Sequence, residues 1–201
     1  MGQASVTCVN LIVECLETLN VDSLKLIENI EPDINNDQLI VEDLCFDLIK
    51  NYKMSKDEAK YIFIYIQNAN LLKRIGTLSL NIVKHLKTIL NVDNELKEIK
   101  EVLILGRFVK NLISKSIISL VEKNIDIATE TIHEEAENKE IKERIIKTVI
   151  EIMKKNAGFI PLYMELIFIV ESIRKIGKLS KNIAENNISI FVDNNLRMLE
   201  D

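Results

Sequence analysis

Apolar residues recur at three- and four-residue spacing along nearly the whole chain, which predicts α-helix throughout and no strands. The clearest stripe joins Leu71, Ile75, Leu78, Ile82, Leu86 and Ile89, one core-facing side of a long helix. Interruptions are few, because the chain has two prolines and five glycines, so the elements should be long. The pattern predicts a first helix from about Ala4 to Leu19 and a tight corner at Asn20-Val21-Asp22, with Asp22 as N-cap of the second helix. The second helix should reach about Tyr52, with a kink or break at Pro32-Asp33, because proline cannot donate to the helical ladder. Ser55-Lys56-Asp57-Glu58 reads as a capping box that opens the third helix. Asn91 to Asn94 is the expected junction, followed by a fourth helix from about Glu95 to Lys123. A second corner, Asn124-Ile125-Asp126, leads into a fifth helix ending near Lys155. There Asn156-Ala157-Gly158 should stop it, with Gly158 in the left-handed position after the cap. Pro161 suits the first turn of a sixth helix that continues to about Asp193.

The chain repeats itself. Arg74-Ile75-Gly76 with Asn81-Ile82 returns as Lys175-Ile176-Gly177 with Asn182-Ile183, 101 residues later. Asn20-Val21-Asp22 returns as Asn124-Ile125-Asp126, and Gly2 as Gly106, 104 residues later. Conserved order and near-constant spacing indicate a duplicated helical unit. The expected architecture is all-α: two tandem antiparallel three-helix bundles, over residues 1–93 and 94–201. Gly76 and Gly177 fall mid-helix, where glycine costs about 1 kcal/mol against alanine. Their recurrence points to a neighbouring helix passing close to the backbone at both places, or to inheritance without present use.

Composition narrows the chemistry. At 201 residues the chain is long enough for a sizeable core, and 47% hydrophobic content argues against disorder. A net charge of −5 argues against a general nucleic-acid surface. Three cysteines cannot all pair, and Cys8 and Cys15 share one helix face where small apolar residues belong, which favours a reducing, cytoplasmic setting. There is no basic-then-apolar leader, and no uncharged apolar run is long enough to span a bilayer. His85 and His133 lack Cys or His partners at metal-binding spacing and read as surface or helix-end residues. The acidic run Glu134, Glu135, Glu137 and Glu140 reads as a solvated face or a partner for a basic stripe on the third and sixth helices. No phosphate-binding glycine loop, nucleophile elbow or aromatic stacking platform is present, and no enzymatic activity is expected.

Six helices in two repeats, with Ile-Gly and Asn-Ile phrases late in each, resemble the PhoU family of phosphate-uptake regulators. In that family the third helix of each repeat carries Asp-Leu-Glu-Arg-Ile-Gly-Asp and then Asn-Ile-Ala-Glu. The corresponding stretches here are Leu71-Leu72-Lys73-Arg74-Ile75-Gly76-Thr77 with Asn81-Ile82-Val83-Lys84, and Ser172-Ile173-Arg174-Lys175-Ile176-Gly177-Lys178 with Asn182-Ile183-Ala184-Glu185. The resemblance covers nearly the whole chain. It implies a cytoplasmic, homodimeric regulator that acts on phosphate transporter subunits and a sensor kinase, without catalysis.

The resemblance also implies metal clusters held by a Glu and an Asp four residues apart, one helical turn, where hard oxygen ligands share a cation. Those positions are Lys73 and Thr77 in the first repeat and Arg174 and Lys178 in the second, so no metal or cofactor is carried over. Lys73, Thr77, Lys84 and Thr88 instead form a stripe opposite the core, and Arg174, Lys178 and Lys181 form its counterpart. Two readings stand. The stripe is a solvated basic face, or its fixed cations meet an anion or an acidic partner surface. Gly76, Asn81, Gly177 and Asn182 are read as structural parts of the repeat.

Two other functions compete with a free regulator. PhoU-like modules also occur as soluble portions of sodium–phosphate cotransporters. The second copy has Asn94 to Ile104 ahead of Leu105-Gly106, whereas the first begins at Met1-Gly2, so its first helix looks clipped. A helical scaffold that has lost the ancestral role is a further alternative. A metal-dependent hydrolase is disfavoured, because the best-placed positions are basic or neutral.

Overall fold

The computed structural model describes residues 1–92, 99–155 and 157–197. Among them are six α-helices and no strand: α1 (Gly2–Thr18), α2 (Asp22–Asn51), α3 (Lys56–Val92), α4 (Ile99–Glu122), α5 (Ile125–Lys155) and α6 (Ile160–Arg197). A short 3-10 turn, Ala157–Phe159, precedes α6. The expected copy boundary at 93/94, the fourth-helix start at Glu95 and Asn156 lie outside the described residues.

The helices pack as the repeat requires. α1, α2 and α3 contact one another, as do α4, α5 and α6, and the two bundles meet where α1 packs on α4 and α3 on α6. Their apolar stripes merge into one continuous core that includes Ile12, Leu24, Ile75, Leu105, Ile169 and Ile183. From the α3 stripe, Ile75, Ile82, Leu86 and Ile89 are buried, and Leu71 and Leu78 are half-buried against the same core. α1 buries a wide face, including Cys8, Val9, Ile12 and Leu16, because it is covered by its own bundle on one side and α4 on the other.

α3 and α6 run antiparallel. Asn68 meets Asn186 and Asn187 near one end of the contact, and His85 meets Glu165 near the other. The two copies are therefore related by an approximate two-fold axis that crosses the α3–α6 contact. α1 and α4 obey the same symmetry. A side-chain carbon on Gly2 would meet Ile117, and one on Gly106 would meet Leu16 and Val13, the residue equivalent to Ile117 in the first copy.

The mid-helix glycines do mark close approaches. A β-carbon on Gly76 would lie 3.3 Å from Ile34 Cδ1 and 3.4 Å from Glu31 Cγ of α2. A β-carbon on Gly177 would overlap the Asn138 amide of α5, which donates to the Arg174 carbonyl at 3.0 Å. α5 thus lies against the backbone of α6, and only glycine leaves room for its side chain.

Local signals fared unevenly. The capping box is formed in both directions: Ser55 N–H donates to Glu58 Oε2 at 2.8 Å, and Glu58 N–H to Ser55 Oγ at 3.2 Å. Pro161 sits in the first turn of α6. α1 starts at Gly2 rather than Ala4, and α6 runs on past Asp193 to Arg197. α2 does not break at Pro32. The proline lies on the exposed side, as does Glu28, whose carbonyl loses its donor, so water can take that place. Asp22 is not the N-cap. It lies in the first turn of α2 and pairs with Lys25 at 2.7 Å, while Asn20 Oδ1 accepts from Asp22 N–H at 2.9 Å. Asn124 caps α5 in the second copy, accepting from Ile127 N–H at 3.1 Å. Gly158 is not left-handed, since it falls in the 3-10 turn and no described glycine has positive φ. The left-handed residues are instead Leu19 (φ 57°) and Lys123 (φ 52°), at equivalent places one residue before Asn20 and Asn124.

Three expectations follow. Gly177→Ala should lower stability by about 1–3 kcal/mol, because a buried, hydrogen-bonded amide must move. Gly76→Ala should be near neutral, since the gain of about 1 kcal/mol in helix propensity offsets tight contact at 3.3 Å with Ile34 Cδ1. Thermal unfolding of both variants measures the contrast. Lys123→Gly should raise stability by about 1 kcal/mol by relieving a left-handed lysine in an exposed corner, read in the same assay.

Candidate functional site

The repeated phrase of each copy lines one groove. Between α3 and α6 lies a cavity of about 630 Å³, walled by Lys73, Arg74, Thr77 and Leu78 from α3 and by Arg174, Lys175, Lys178, Leu179 and Asn182 from α6. The four α3 residues and their equivalents Arg174, Lys175, Lys178 and Leu179 are related by the approximate two-fold axis, which passes near Ile75 and Gly76. The polar residues stand at the rim, with Arg74, Thr77, Lys175 and Lys178 exposed, and Leu179 is buried beneath them.

Five cations thus converge where no carboxylate lines the wall. Among the described residues none of the five is in an ion pair. Lys73 Nζ donates to Gln38 Oε1 of α2 at 3.0 Å, which anchors it and leaves its remaining protons for other acceptors. Thr77 Oγ1 approaches Glu31 Oε1 at 3.2 Å, beside the Gly76 crossing. The buried Glu31 carboxylate of α2 thus accepts from a residue of the groove wall without itself lining the groove.

Of the residues singled out from sequence, the fold brings Lys73, Thr77, Arg174 and Lys178 together with Asn182. Lys84 is exposed farther along α3 and does not line the groove. Lys181 turns aside to Glu185 at 3.5 Å. Asn81 is half-buried outside the groove wall. Arg74 and Lys175 were missed as site residues, although their recurrence 101 residues apart was the available signal.

The donor set does not fit a metal. At the positions that carry acidic ligands in the resembling motif stand two ammonium groups, a guanidinium and a hydroxyl, and protonated nitrogen has no lone pair to give. Among the described residues no cluster of three or more His, Cys, Asp or Glu side chains is arranged to hold a metal ion.

Other titratable groups have structural partners. His85 is not a surface residue: it is half-buried, lies 2.5 Å from Glu165 and stacks 5.1 Å from Phe168, tying α3 to α6. Glu165, an interruption in an apolar run, is thereby explained. His133 is exposed. In the acidic run, Glu134 pairs with Lys115 of α4 at 2.8 Å, outside the basic stripe, while Glu137 and Glu140 are exposed. Asn187 donates to the Ser116 carbonyl and Ser119 Oγ of α4, both at 2.9 Å, within the second bundle, and Asn68 donates across the bundles to Asn187 Oδ1 at 3.2 Å. No helix among the described residues is long and apolar enough to cross a membrane.

Comparison with known proteins bears on the fold and the family. The PhoU domain matches the chain twice, over residues 1–86 and 102–186. The chain belongs to the PhoU family. Among its relatives, the phosphate-specific transport system accessory protein PhoU homolog of Clostridium acetobutylicum is 25% identical over 184 residues, covering 90% of this chain and 84% of that protein. PhoU homolog 1 of Thermotoga maritima, likewise named a phosphate-specific transport system accessory protein, is 21% identical, covering 92% of this chain and 80% of its own length. In fold, the chain superposes on PhoU from Pseudomonas aeruginosa with a TM-score of 0.91 at 17% identity, covering 94% of this chain and 91% of that one. The phosphate transport system regulatory protein PhoU from Streptococcus pneumoniae gives 0.84, also at 17% identity, over 94% and 88% of the two chains.

The cysteines are poor nucleophiles. Burial, with the Glu31 charge, pushes the Cys8 thiol up to about 12, and burial with Glu14 pushes Cys15 to about 11. Burial also raises Cys45, with Glu42 adding to it. All three should therefore resist iodoacetamide in the native protein near pH 8 and react together once denatured, as followed by mass spectrometry.

Proposed function

We propose that this PhoU-family protein is a non-catalytic accessory regulator of phosphate uptake, acting in the cytoplasm through contact with phosphate transporter subunits. The observation that carries this reading is the convergence of both repeat motifs on one groove rich in cations and without acidic lining. Relatives named as accessory proteins of the phosphate-specific transport system support the choice of transporter. Exposed apolar residues on the second half of α2, including Leu39, Ile40, Leu44, Phe46 and Ile49, provide a surface of the kind used in partner contacts. Relay to a sensor kinase and homodimer formation complete the proposed role. In this chain, fixed ammonium and guanidinium groups supply the positive charge at the motif positions.

The test is co-purification of transporter subunits with the tagged full chain, paired with uptake of labelled phosphate in cells. The wild-type chain is expected to retain the transporter and restrain uptake. Charge reversal at Lys73, Arg174 and Lys178 together should reduce retention by about tenfold or more, with uptake rising. Retention of the transporter by neither wild type nor variant, with uptake unaffected by removal of the chain, would overturn the proposal.

A further inference from the structure

We propose that the groove between α3 and α6 binds a small anion carrying two or more phosphoryl groups, held across the two-fold axis with one wall from each repeat. This rests on reading the groove as the working face of the regulator, and it names what occupies it.

Charge is the first argument. The chain carries 31 acidic and 26 basic residues, yet the groove gathers five cations and no acid. Arg174 and Lys178 stand one helical turn apart, a like-charge spacing that is unfavourable without a counter-charge. Such concentration in an acidic protein creates a local field that attracts multivalent anions.

Geometry is the second. Lys73 and Arg74 on one wall mirror Arg174 and Lys175 on the other. A lone orthophosphate carries about two charges against the five cations of the groove. Two linked phosphoryl groups present one to each wall, where an arginine fork and a lysine can hold it. Lys178 and the Asn182 amide add donors on the α6 side. The volume of about 630 Å³ lies within the range of small-molecule sites and exceeds what a single phosphate fills. An acidic peptide fits less well. Leu78 and Leu179 are the two apolar residues of the wall, against seven that carry polar or charged groups, so charge more than apolar anchoring would select an occupant.

The experiment is calorimetric titration of the full chain with inorganic diphosphate, tripolyphosphate and orthophosphate at constant ionic strength. Diphosphate is expected to bind one per chain and at least about tenfold more tightly than orthophosphate, with tripolyphosphate at least as tight as diphosphate. Lys73→Gln and Arg174→Gln, one from each wall, should each weaken diphosphate by about tenfold or more. Lys84→Gln, which makes the same charge change outside the groove, should leave it unchanged. Melting curves establish that each variant is folded, and Lys178→Gln replaces either one that is not. The proposal is overturned by absence of saturable diphosphate binding, by equal affinity for orthophosphate, or by a loss in Lys84→Gln matching that in Arg174→Gln. Displacement of diphosphate by an oligoglutamate peptide at comparable concentration would equally overturn it, in favour of an acidic protein segment. Diphosphate failing to bind while charge reversal still releases the transporter would sink the ligand and leave the regulatory role standing.

Discussion

The antiparallel packing of α3 on α6 is the constraint from which the rest of the molecule follows. Because the two helices come from duplicated halves, whatever one copy presents near the axis it meets again from the other side. An apolar position becomes an apolar pair and extends the core. A cation becomes a pair of cations and has to stay at the rim. The basic groove therefore needs no separate origin: a positively charged substitution near the Ile-Gly phrase of both copies is automatically concentrated by the symmetry of the contact.

The glycines set how close this arrangement can be. Gly76 and Gly177 do not lie where the copies meet. They lie on the other side of the same helices, where α2 and α5 press in within each bundle. The two copies solve that contact differently. In the first, Ile34 fills the space, whereas in the second Asn138 fills it and bonds to the Arg174 carbonyl. The backbone of α6 is thus pinned at the residue whose side chain enters the groove. Fold and site are coupled there through one amide, with the side chain of Gly177 necessarily absent.

Much of this was legible in the sequence. The helical period, the Ser55–Glu58 capping box and the recurrence of Gly76 as Gly177 are local or repeated signals, and each is realised in the structure. What escaped detection depended on unlike residues or on distant ones. Leu19 and Lys123 adopt a conformation that leucine and lysine disfavour, so residue type misdirects, and the glycine that was expected to take it sits in a 3-10 turn instead. His85 and Glu165 lie 80 residues apart and carry no common motif, so only the fold reveals the pair. The gathering of Lys73, Arg174 and Lys178 in one groove likewise required the crossing of α3 and α6, which periodicity alone does not orient.

The symmetry is also deliberately incomplete. At one end of the α3–α6 contact Asn68, Asn186 and Asn187 share hydrogen bonds, and at the other a histidine faces a carboxylate. In the equivalent place, the partners of Asn68 and Asn187 become Ile169 and Leu86, which are buried and apolar. The halves have therefore diverged into non-interchangeable mates. A polypeptide assembled from two identical first halves would set the Asn68 amide against leucine in place of Asn187 and lose that buried hydrogen bond.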